Sequence, residues 1–304
     1  MEKLFFGIDI GTGSTKGIVT DAKGVVYASA SHPHETETPH PGWFEHDPET
    51  LWWGEVVSIS KNLTQQIKDQ GMSVKDAAAG LCVSTIAPCV LPVDRQGRPL
   101  RKGILYGIDT RASKEIEEIE QRVGRQEIFS MTGQHLSSQS CCPKIKWIEK
   151  HEPEVWKHTH KILTASGYIV YKLTGRYTED MYDAIGYAPV FNIRKQCWDD
   201  TYAEGVVDMD LLPEILWTHE VAGCIGRQAA EETGLPEGLP VMTGTADAAA
   251  ESLSAGVAQV GDMMMMFGSS NFFISRTSSL RPVDSFWASN FLTPGTTVLT
   301  GGMA

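Results

Sequence analysis

The chain has 304 residues, of which 41% are hydrophobic and 21% charged, so it can bury a sizeable core and has an ordinary globular composition. Its formal net charge of −12 argues against nucleic acid as a partner, because no basic surplus exists to neutralise phosphates. No apolar run approaches the roughly 20 residues of a membrane-spanning helix, and no secretory signal precedes the first strand. We therefore expect a cytoplasmic protein with no membrane partner. The six cysteines lack metal-site spacing and are expected to be reduced.

The first half of the chain predicts strands mixed with helices. Three strands are expected over residues 4–10, 16–21 and 25–29, joined by GTGST and by the tight turn DAKG. HDPETLWWGEVVSISKNLTQQIK follows as a helix, with Asp47 as its N-cap and a proline in its first turn. Further strands are predicted in AAGLCVS, CVLPVD and GILYGID, before the charged helix RASKEIEEIEQRVG. This order indicates an α/β domain.

The second half suggests that a similar domain begins near the end of the chain. Residues 126–235 are predicted to be mostly helical, followed by the buried strand LPVMTGT and the helix ADAAAESLSAG. Residues 260–277, VGDMMMMFGSSNFFISRT, repeat the opening pattern of strand, small hydroxylated turn and strand. We predict a first domain over residues 1–256 and an incomplete second domain over residues 257–304.

The turn in DIGTGSTK has the chemistry of a phosphate site. A hairpin there would leave the backbone N–H groups of Gly11 and Thr12 accessible, with hydroxyl groups and Lys16 alongside. Asp9, at the strand end, could hold a hydrated Mg²⁺, which prefers a carboxylate plus waters. The alternative is a tight hairpin with a solvated lysine.

A second candidate is Asp247 in GTADAAAE, which follows a buried strand at the start of a helix. An aspartate in this position can cap the unpaired N–H groups of the helix. It can also accept the proton of a bound hydroxyl as that hydroxyl attacks phosphorus. The two roles are compatible only in part, because the hydrogen bonds that a cap accepts lower its basicity.

Asp109 and Arg111 in YGIDTRA lie two residues apart at a strand end, so on an extended backbone they share one face. They could hold a polyol hydroxyl between them or form a structural salt bridge.

For GWFEHDPETLWW, helix capping with aromatic anchors in the core is favoured over substrate contact. His46 in that stretch has no second ligand at metal spacing, so no zinc site is assigned.

Taken in order, these stretches resemble the FGGY family of carbohydrate kinases, which are built from two actin-like (ribonuclease H-like) α/β domains, with sugar and ATP in the cleft between them. The similarity runs from residue 5 to the end and is nearest in general appearance to the xylulose kinase branch. It rests on the order of GIDIGTGSTK, GWFEHDPETLW, ILYGIDTRA, PKIKWIEKH, YKLTG with the later CWD, GTADAAA and FGSSNFF.

The resemblance implies ATP-dependent phosphorylation of a sugar or polyol hydroxyl, with ATP and Mg²⁺ required. It makes Asp247 the general base, next to the sugar, and Asp9 the partner of Mg²⁺ and its waters. The other site residues that it implies are, on the phosphate path, Gly11, Thr12, Lys16, Gly268 and Ser269 and, on the sugar side, Ala87, Asp109 and Arg111.

Some positions depart from the family pattern. Xylulose kinases usually show Ser-Gly-Gln-Met-His-Gly where this chain has STIAPC, so Ala87 and Pro88 replace a methionine and a histidine near the sugar. Ala248 stands where an asparagine or a glutamine often follows the catalytic aspartate. These changes favour a second hypothesis, a sugar-binding or regulatory relative without phosphoryl transfer, whereas Asp9, Lys16 and Asp247 favour the kinase. An actin-like ATPase acting on protein partners is less favoured, because no feature marks a positioned water.

An incomplete second domain would also expose apolar surface, which favours association, for example as a homodimer.

Overall fold

The structure is a computed structural model that describes residues 2–267 and 271–303. The strands, in chain order, are β1 (Leu4–Ile10), β2 (Ser14–Asp21), β3 (Val26–Pro33), β4 (Glu45–His46), β5 (Ala78–Thr85), β6 (Leu91–Val93), β7 (Gly103–Ile104), β8 (Lys161–Leu163), β9 (Thr178–Asp180), β10 (Phe191–Asn192), β11 (Cys197–Trp198), β12 (Glu214–Leu216), β13 (Val221–Cys224), β14 (Pro240–Met242), β15 (Thr245–Ala246), β16 (Met263–Phe267), β17 (Asn271–Thr277), β18 (Trp287–Asn290) and β19 (Thr297–Met303).

The α-helices are α1 (Gly54–Asp69), α2 (Val74–Ala77), α3 (Ser113–Val123), α4 (Arg125–Thr132), α5 (Cys141–His151), α6 (Pro153–His158), α7 (Ala165–Thr174), α8 (Arg227–Thr233) and α9 (Asp247–Ser254). A π-helical turn, Pro48–Trp53, leads into α1, and 3₁₀ turns lie at Asp183–Tyr187, Asp200–Tyr202 and Met209–Leu211. Among the described residues, no helix combines the length and the apolar composition needed to cross a membrane.

The largest sheet is mixed and runs in the order β13-β14-β5-β1-β2-β3, with β15 beside the end of β5. Strand β1 pairs antiparallel with β2 and parallel with β5. The predicted α/β fold, a mixed sheet flanked by helices, is confirmed. Strands β1 and β5 end at the same edge of this sheet, because they are parallel and in register from Phe5–Gly80 to Ile10–Thr85.

Successive side chains of β1 point to opposite faces of the sheet, and those on one face enter the core. Leu4, Phe6, Ile8 and Ile10 are buried in one cluster with residues of α1 and α7, whereas Asp9 points to the other face. Strand β2 packs so closely on α1 that a Cβ at Gly17 would lie 2.3 Å from a methyl group of Ile59. The apolar face of the sheet is therefore sealed, and its other face is left for polar chemistry.

The start of the first long helix agrees with the sequence prediction. The Asp47 side chain accepts hydrogen bonds from the backbone N–H groups of Glu49 and Thr50 at 2.9 and 3.0 Å. Trp52 is fully buried and its Nε1 donates to His46 Nδ1 at 3.1 Å. Burial lowers the pKa of His46 to about 4, so this histidine is a neutral member of the core near neutral pH.

The prediction that residues 126–235 are mostly helical is only partly right. Short strands interrupt the helices and form the pairs β6–β8, β9–β12 and β10–β11. Each strand has two or three residues, too few for a periodic signal, and its partner lies far away in the chain in two of the three pairs. GILYGID likewise contributes only the two residues of β7, because a turn closed by Asp109 N–H and Tyr106 O follows.

The last part of the chain forms a second sheet, in the order β16-β17-β19-β18, all antiparallel. Its edge strand β16 carries exposed Met263, Met265 and Phe267 side chains. The domain boundary at residues 256 and 257 stays a prediction, as does association into a homodimer.

Candidate active site

A row of polar residues crosses the open face of the main sheet. Asp9 is the register partner of Lys16 on β2 and of Ser84 on β5, and Ser84 is in turn the partner of Thr245 on β15. Side chains of register partners stand on the same face, so the four side chains are neighbours. Ser84 Oγ donates to Asp9 Oδ1 at 2.8 Å, whereas Asp9 Oδ2 accepts no hydrogen bond from the described residues. Asp9 and Lys16 line one open cleft of about 740 Å³.

The turn after β1 is the predicted hairpin, but it corrects one detail. Gly11 N–H donates to Ser14 O at 2.9 Å and closes the turn, so it is not free for a phosphate as predicted. A Cβ at Gly11 would lie 3.2 Å from that same oxygen, so a larger residue would press on the turn. The Thr12 hydroxyl is within hydrogen-bond distance of the Tyr106 hydroxyl, at 3.0 Å.

The carbonyl groups of this turn are held from the segment after β3. His34 N–H donates to Gly13 O at 3.0 Å, and Thr36 Oγ1 donates to Thr12 O at 3.0 Å. His34 Nε2 lies 3.1 Å from Gly11 O, while its Nδ1 lies 2.8 Å from Glu55 Oε2 on α1. Three successive carbonyl groups are thus turned toward the body of the domain, which fixes the shape of the turn before any ligand arrives.

Tyr106 is held by a buried ammonium group. Lys144, in the predicted motif PKIKWIEKH, donates to Leu105 O at 2.6 Å and to Tyr106 O at 2.8 Å. Burial lowers the pKa of Lys144 to about 8. This lysine is therefore a positioning group for the segment that contacts Thr12.

Asp247 is the first residue of α9, directly after β15. Its Oδ1 accepts one hydrogen bond, 2.7 Å long, from the adjacent Ala248 N–H, so it does not cap the helix in the usual N2 or N3 geometry. Burial, together with the nearby Asp9 charge, raises the pKa of Asp247 to about 7, although the Ala248 N–H and Lys16 act in the opposite direction. Asp247 is therefore a weakly hydrogen-bonded carboxyl group close to the row that carries Asp9 and Lys16.

A cavity of about 100 Å³ adjoins Asp247, between the end of the main sheet and the second sheet. Ala87 and Pro88, which follow β5, form an apolar wall, so Ala87 and Asp247 line the same cavity. The second sheet contributes one residue from each of three strands. These residues are Phe272, Trp287 and Thr300.

Gln134, Gln139 and Asp183 are among the polar residues of this cavity that sequence reasoning did not assign to the site. Gln139 Oε1 accepts a hydrogen bond from Gly107 N–H at 3.0 Å, which leaves its amide nitrogen without a partner among the described residues. One signal could have found Asp183: TEDMYD contains three carboxylates within five residues next to an apolar run, which is unusual for a solvated loop.

The three carboxyl groups of TEDMYD, Glu179, Asp180 and Asp183, are buried. Glu179 accepts from Thr164, Tyr187 and the Asp180 N–H, and Asp180 accepts from the hydroxyl groups of Thr218 and Thr245. Burial, reinforced by the mutual repulsion of these groups, raises the pKa of Glu179 and Asp183, and burial raises that of Asp180. Protons are therefore retained in this cluster at pH values where exposed carboxyl groups are ionised.

Asp109 and Arg111 lie elsewhere. Both side chains are inaccessible to solvent and form an ion pair, with Arg111 Nη2 2.7 Å from Asp109 Oδ2 and Nη1 2.8 Å from Glu45 Oε1. The guanidinium group also lies 4.4 Å and 5.1 Å from the ring centres of Trp43 and Trp147. Every polar atom of the pair has a partner inside the protein, which favours the salt-bridge alternative, while the assignment of these two residues to the sugar side stays an untested prediction.

Gly268 and Ser269, predicted on the phosphate path, lie outside the described residues. Within the described ranges, no group of three histidine, cysteine, aspartate or glutamate residues is arranged to hold a metal ion. Of the other predicted site residues, the structure brings together Asp9, Lys16, Asp247, Ala87 and the turn that contains Gly11 and Thr12.

Residues 4–254 match the model of the N-terminal domain of the FGGY family of carbohydrate kinases. The chain is 28% identical over 276 residues to the xylulose kinase of Staphylococcus xylosus, covering 90% of this chain and 55% of that protein. It is 31% identical over 252 residues to the xylulose kinase of Lactococcus lactis, covering 83% of this chain and 49% of that protein. The chain thus spans about half the length of the curated relatives it matches.

The structure also resembles a solved structure, the xylulose kinase of Rhodospirillum rubrum. The TM-score is 0.93 at 30% sequence identity, over 99% of this chain and 61% of that one. The family match covers most of the chain and agrees with the fold and with the clustering of Asp9, Lys16 and Asp247. The chain belongs to the FGGY family of carbohydrate kinases.

Proposed function

We propose that the protein transfers the γ-phosphoryl group of ATP to a hydroxyl group of a sugar or polyol, with Asp247 as the general base. One observation carries this proposal. Asp247 lies between a cavity suited to a small ligand and a polar row suited to phosphate, and few hydrogen bonds restrain its carboxyl group. A base for phosphoryl transfer has to be within reach of both the acceptor hydroxyl and the phosphate.

In the proposed step, the hydroxyl oxygen of the substrate attacks the γ-phosphorus and forms a new O–P bond. The bond from the γ-phosphorus to the bridging oxygen breaks, and ADP leaves with that electron pair. Asp247 accepts the hydroxyl proton as the new bond forms. Most of the rate acceleration in such transfers comes from positioning and charge neutralisation, since the transition state is loose.

The residues of the polar row would hold the phosphate groups. Lys16 supplies a positive charge opposite Asp9 in register, and the turn after β1 has a fixed shape next to both. Asp9 fits a hydrated Mg²⁺, because its Oδ2 is unpartnered among the described residues and Mg²⁺ needs only one or two carboxylates plus waters and phosphate. Bound there, Mg²⁺ would neutralise charge on the transferred phosphoryl group.

The xylulose kinases to which this chain is similar make D-xylulose the first sugar to test. Because this chain spans only about half of those relatives, the activity of the whole protein is part of the proposal.

The test is sugar-dependent ADP formation by the complete gene product, over a panel of ketoses, aldoses, polyols and sugar acids, with Asp247→Asn measured in parallel. We expect one class of sugar to give ADP and the variant to lose that signal. Sugar binding without ADP formation would favour the alternative of an inactive sugar-binding relative. Equal ADP formation with and without sugar would instead indicate an ATPase and would contradict the proposal.

A further inference from the structure

We propose that Asp183 is a specificity-determining residue of the Asp247 cavity, where it contacts a hydroxyl group of an uncharged sugar or polyol and excludes sugar acids. This inference rests on the proposed function, because it names the substrate class of the same site. It is carried by the contacts of Asp183, by the composition of the cavity and by the carboxyl groups behind its wall.

Asp183 is buried, but its carboxyl group has few hydrogen-bond partners. Its exposed fraction is 3%, and it lines the cavity that Asp247 also lines. Its Oδ2 has one hydrogen bond, a long one of 3.5 Å from Ser166 Oγ, and its Oδ1 accepts none from the described residues. Glu179 and Asp180, its neighbours in sequence, each accept several. A buried polar group that lacks partners is costly unless a ligand or water supplies them.

Among the described residues, the wall of this cavity carries no cationic side chain. Its lining includes the carboxyl groups of Asp183 and Asp247 and the side-chain amides of Gln134 and Gln139, but no described lysine, arginine or histidine. The Gln134 amide nitrogen donates one of its two N–H groups to Ile185 O at 2.5 Å. The remaining side-chain donors of the described cavity wall are neutral, and they include the amide nitrogen of Gln139 and the second N–H of Gln134.

These groups suit hydroxyls better than a carboxylate. A hydroxyl group can donate to the Asp183 carboxyl group when that group is ionised and can accept from it when it is protonated. A substrate carboxylate would meet two acidic groups and only neutral donors, with Asp180 and Glu179 just behind the wall. Because no cation of the described wall would compensate its charge, and any ionised neighbour would repel it, binding of the carboxylate is disfavoured.

A matched pair of ligands tests this directly. Dissociation constants would be measured by calorimetry, on the complete gene product without nucleotide, for four-, five- and six-carbon polyols and for the sugar acids of the same chain lengths, such as xylitol and D-xylonate. We expect at least one polyol to bind about tenfold or more tightly than its acid, which corresponds to about 1.4 kcal/mol. Equal or tighter binding of the acids, or binding of none of the compounds, would overturn the proposal.

The variants Asp183→Asn and Asp183→Ala assign the effect to this residue. Asparagine keeps the shape and can still donate and accept, so polyol affinity should stay within about threefold while acid affinity rises. Alanine removes the contact, and polyol affinity should fall about tenfold. Asp76→Asn, an equal charge change at an exposed site, is the matched control and should leave both affinities unchanged. Unaltered discrimination in Asp183→Asn would refute the role of Asp183.

The ligand comparison on the unsubstituted protein needs no variant, so it stands even if a substitution at this buried site impairs folding. It also separates the two proposals. Selective polyol binding without any ADP formation would remove the kinase proposal and retain this one. ADP formation with a sugar acid as the preferred substrate would do the reverse.

Discussion

Asp247 and Asp109 are both aspartates near the ends of short extended segments, yet their surroundings are opposite. Asp109 accepts from the Arg111 guanidinium group, from Arg111 N–H and from Phe44 N–H, and its side chain is sealed from solvent. Asp247 accepts from one backbone N–H group and faces a cavity. A carboxylate whose partners are all internal stabilises the fold, whereas one with spare capacity beside a cavity is available for chemistry.

The largest effect is expected at Asp247. Asp247→Asn removes the proton acceptor but keeps the shape and the hydrogen bond from Ala248 N–H to the side-chain oxygen. Turnover should fall on the order of 10³-fold while sugar affinity and melting temperature change little. Steady-state kinetics and thermal unfolding would measure both, with Asp76→Asn as control. Turnover within about threefold of the original protein would remove Asp247 from the role of base.

At the buried ion pair of Asp109 and Arg111 we expect a loss of stability without a loss of sugar binding. Arg111→Met leaves Asp109 buried without its cation, whereas Glu45 keeps its ion pair with Arg101, so the free energy of unfolding should fall by about 3 kcal/mol. Denaturant titration would measure it, and sugar affinity per folded molecule should remain unchanged. Arg98→Met is the matched control, because the Arg98 ion pair with Asp94 is largely exposed on the arginine side and contributes about 1 kcal/mol or less. Loss of sugar binding in a folded Arg111→Met protein would return this pair to the sugar site.

The buried acidic cluster makes stability depend on pH. Burial raises the pKa of Glu179 in the folded state above that of the unfolded chain. Above about pH 4 the unfolded chain loses this proton while the folded protein keeps it, so stability is lost as pH rises through the folded-state pKa. The stability difference between the unsubstituted protein and Glu179→Gln should fall with pH, by on the order of 1 kcal/mol per pH unit. A difference that is constant from pH 5 to pH 8 would contradict this expectation.

The smallest effect on activity is expected from replacing His34, which holds the turn after β1 in place. His34→Ala removes the contacts to Gly11 O and Glu55, so the turn should become less ordered and the KM for ATP should rise about threefold to tenfold, with little change in kcat. His32→Ala is the matched control, because the His32 ring also contacts Glu55 but is half exposed and has no side-chain hydrogen bond to the turn among the described residues. An equal effect of the two substitutions would show that Glu55, and not the turn, is responsible.

The first strands, the first helix with its cap and Asp247 before its helix could all be predicted, because each depends on neighbouring residues. The buried contacts of Arg111 could not be predicted, since its partners Glu45, Trp43 and Trp147 come from segments distant in sequence. Asp183 was missed for the same reason, because the cavity that it lines exists only once the second sheet meets the end of the first. The prediction that the Gly11 N–H is accessible was wrong, because local sequence does not show which N–H groups close the turn, and Gly11 N–H donates to Ser14 O.

Asp247 as the base and the Asp109–Arg111 pair as a structural element are tested most directly by single-turnover phosphoryl transfer in Asp247→Asn and Arg111→Met. Sugar and ATP would be saturating, and rates would be expressed per folded molecule. The account predicts that Asp247→Asn binds both substrates and transfers on the order of 10³-fold more slowly, whereas the folded fraction of Arg111→Met transfers at the original rate. An unimpaired rate in Asp247→Asn, together with a slow rate in folded Arg111→Met, would contradict it and exchange the roles of the two sites.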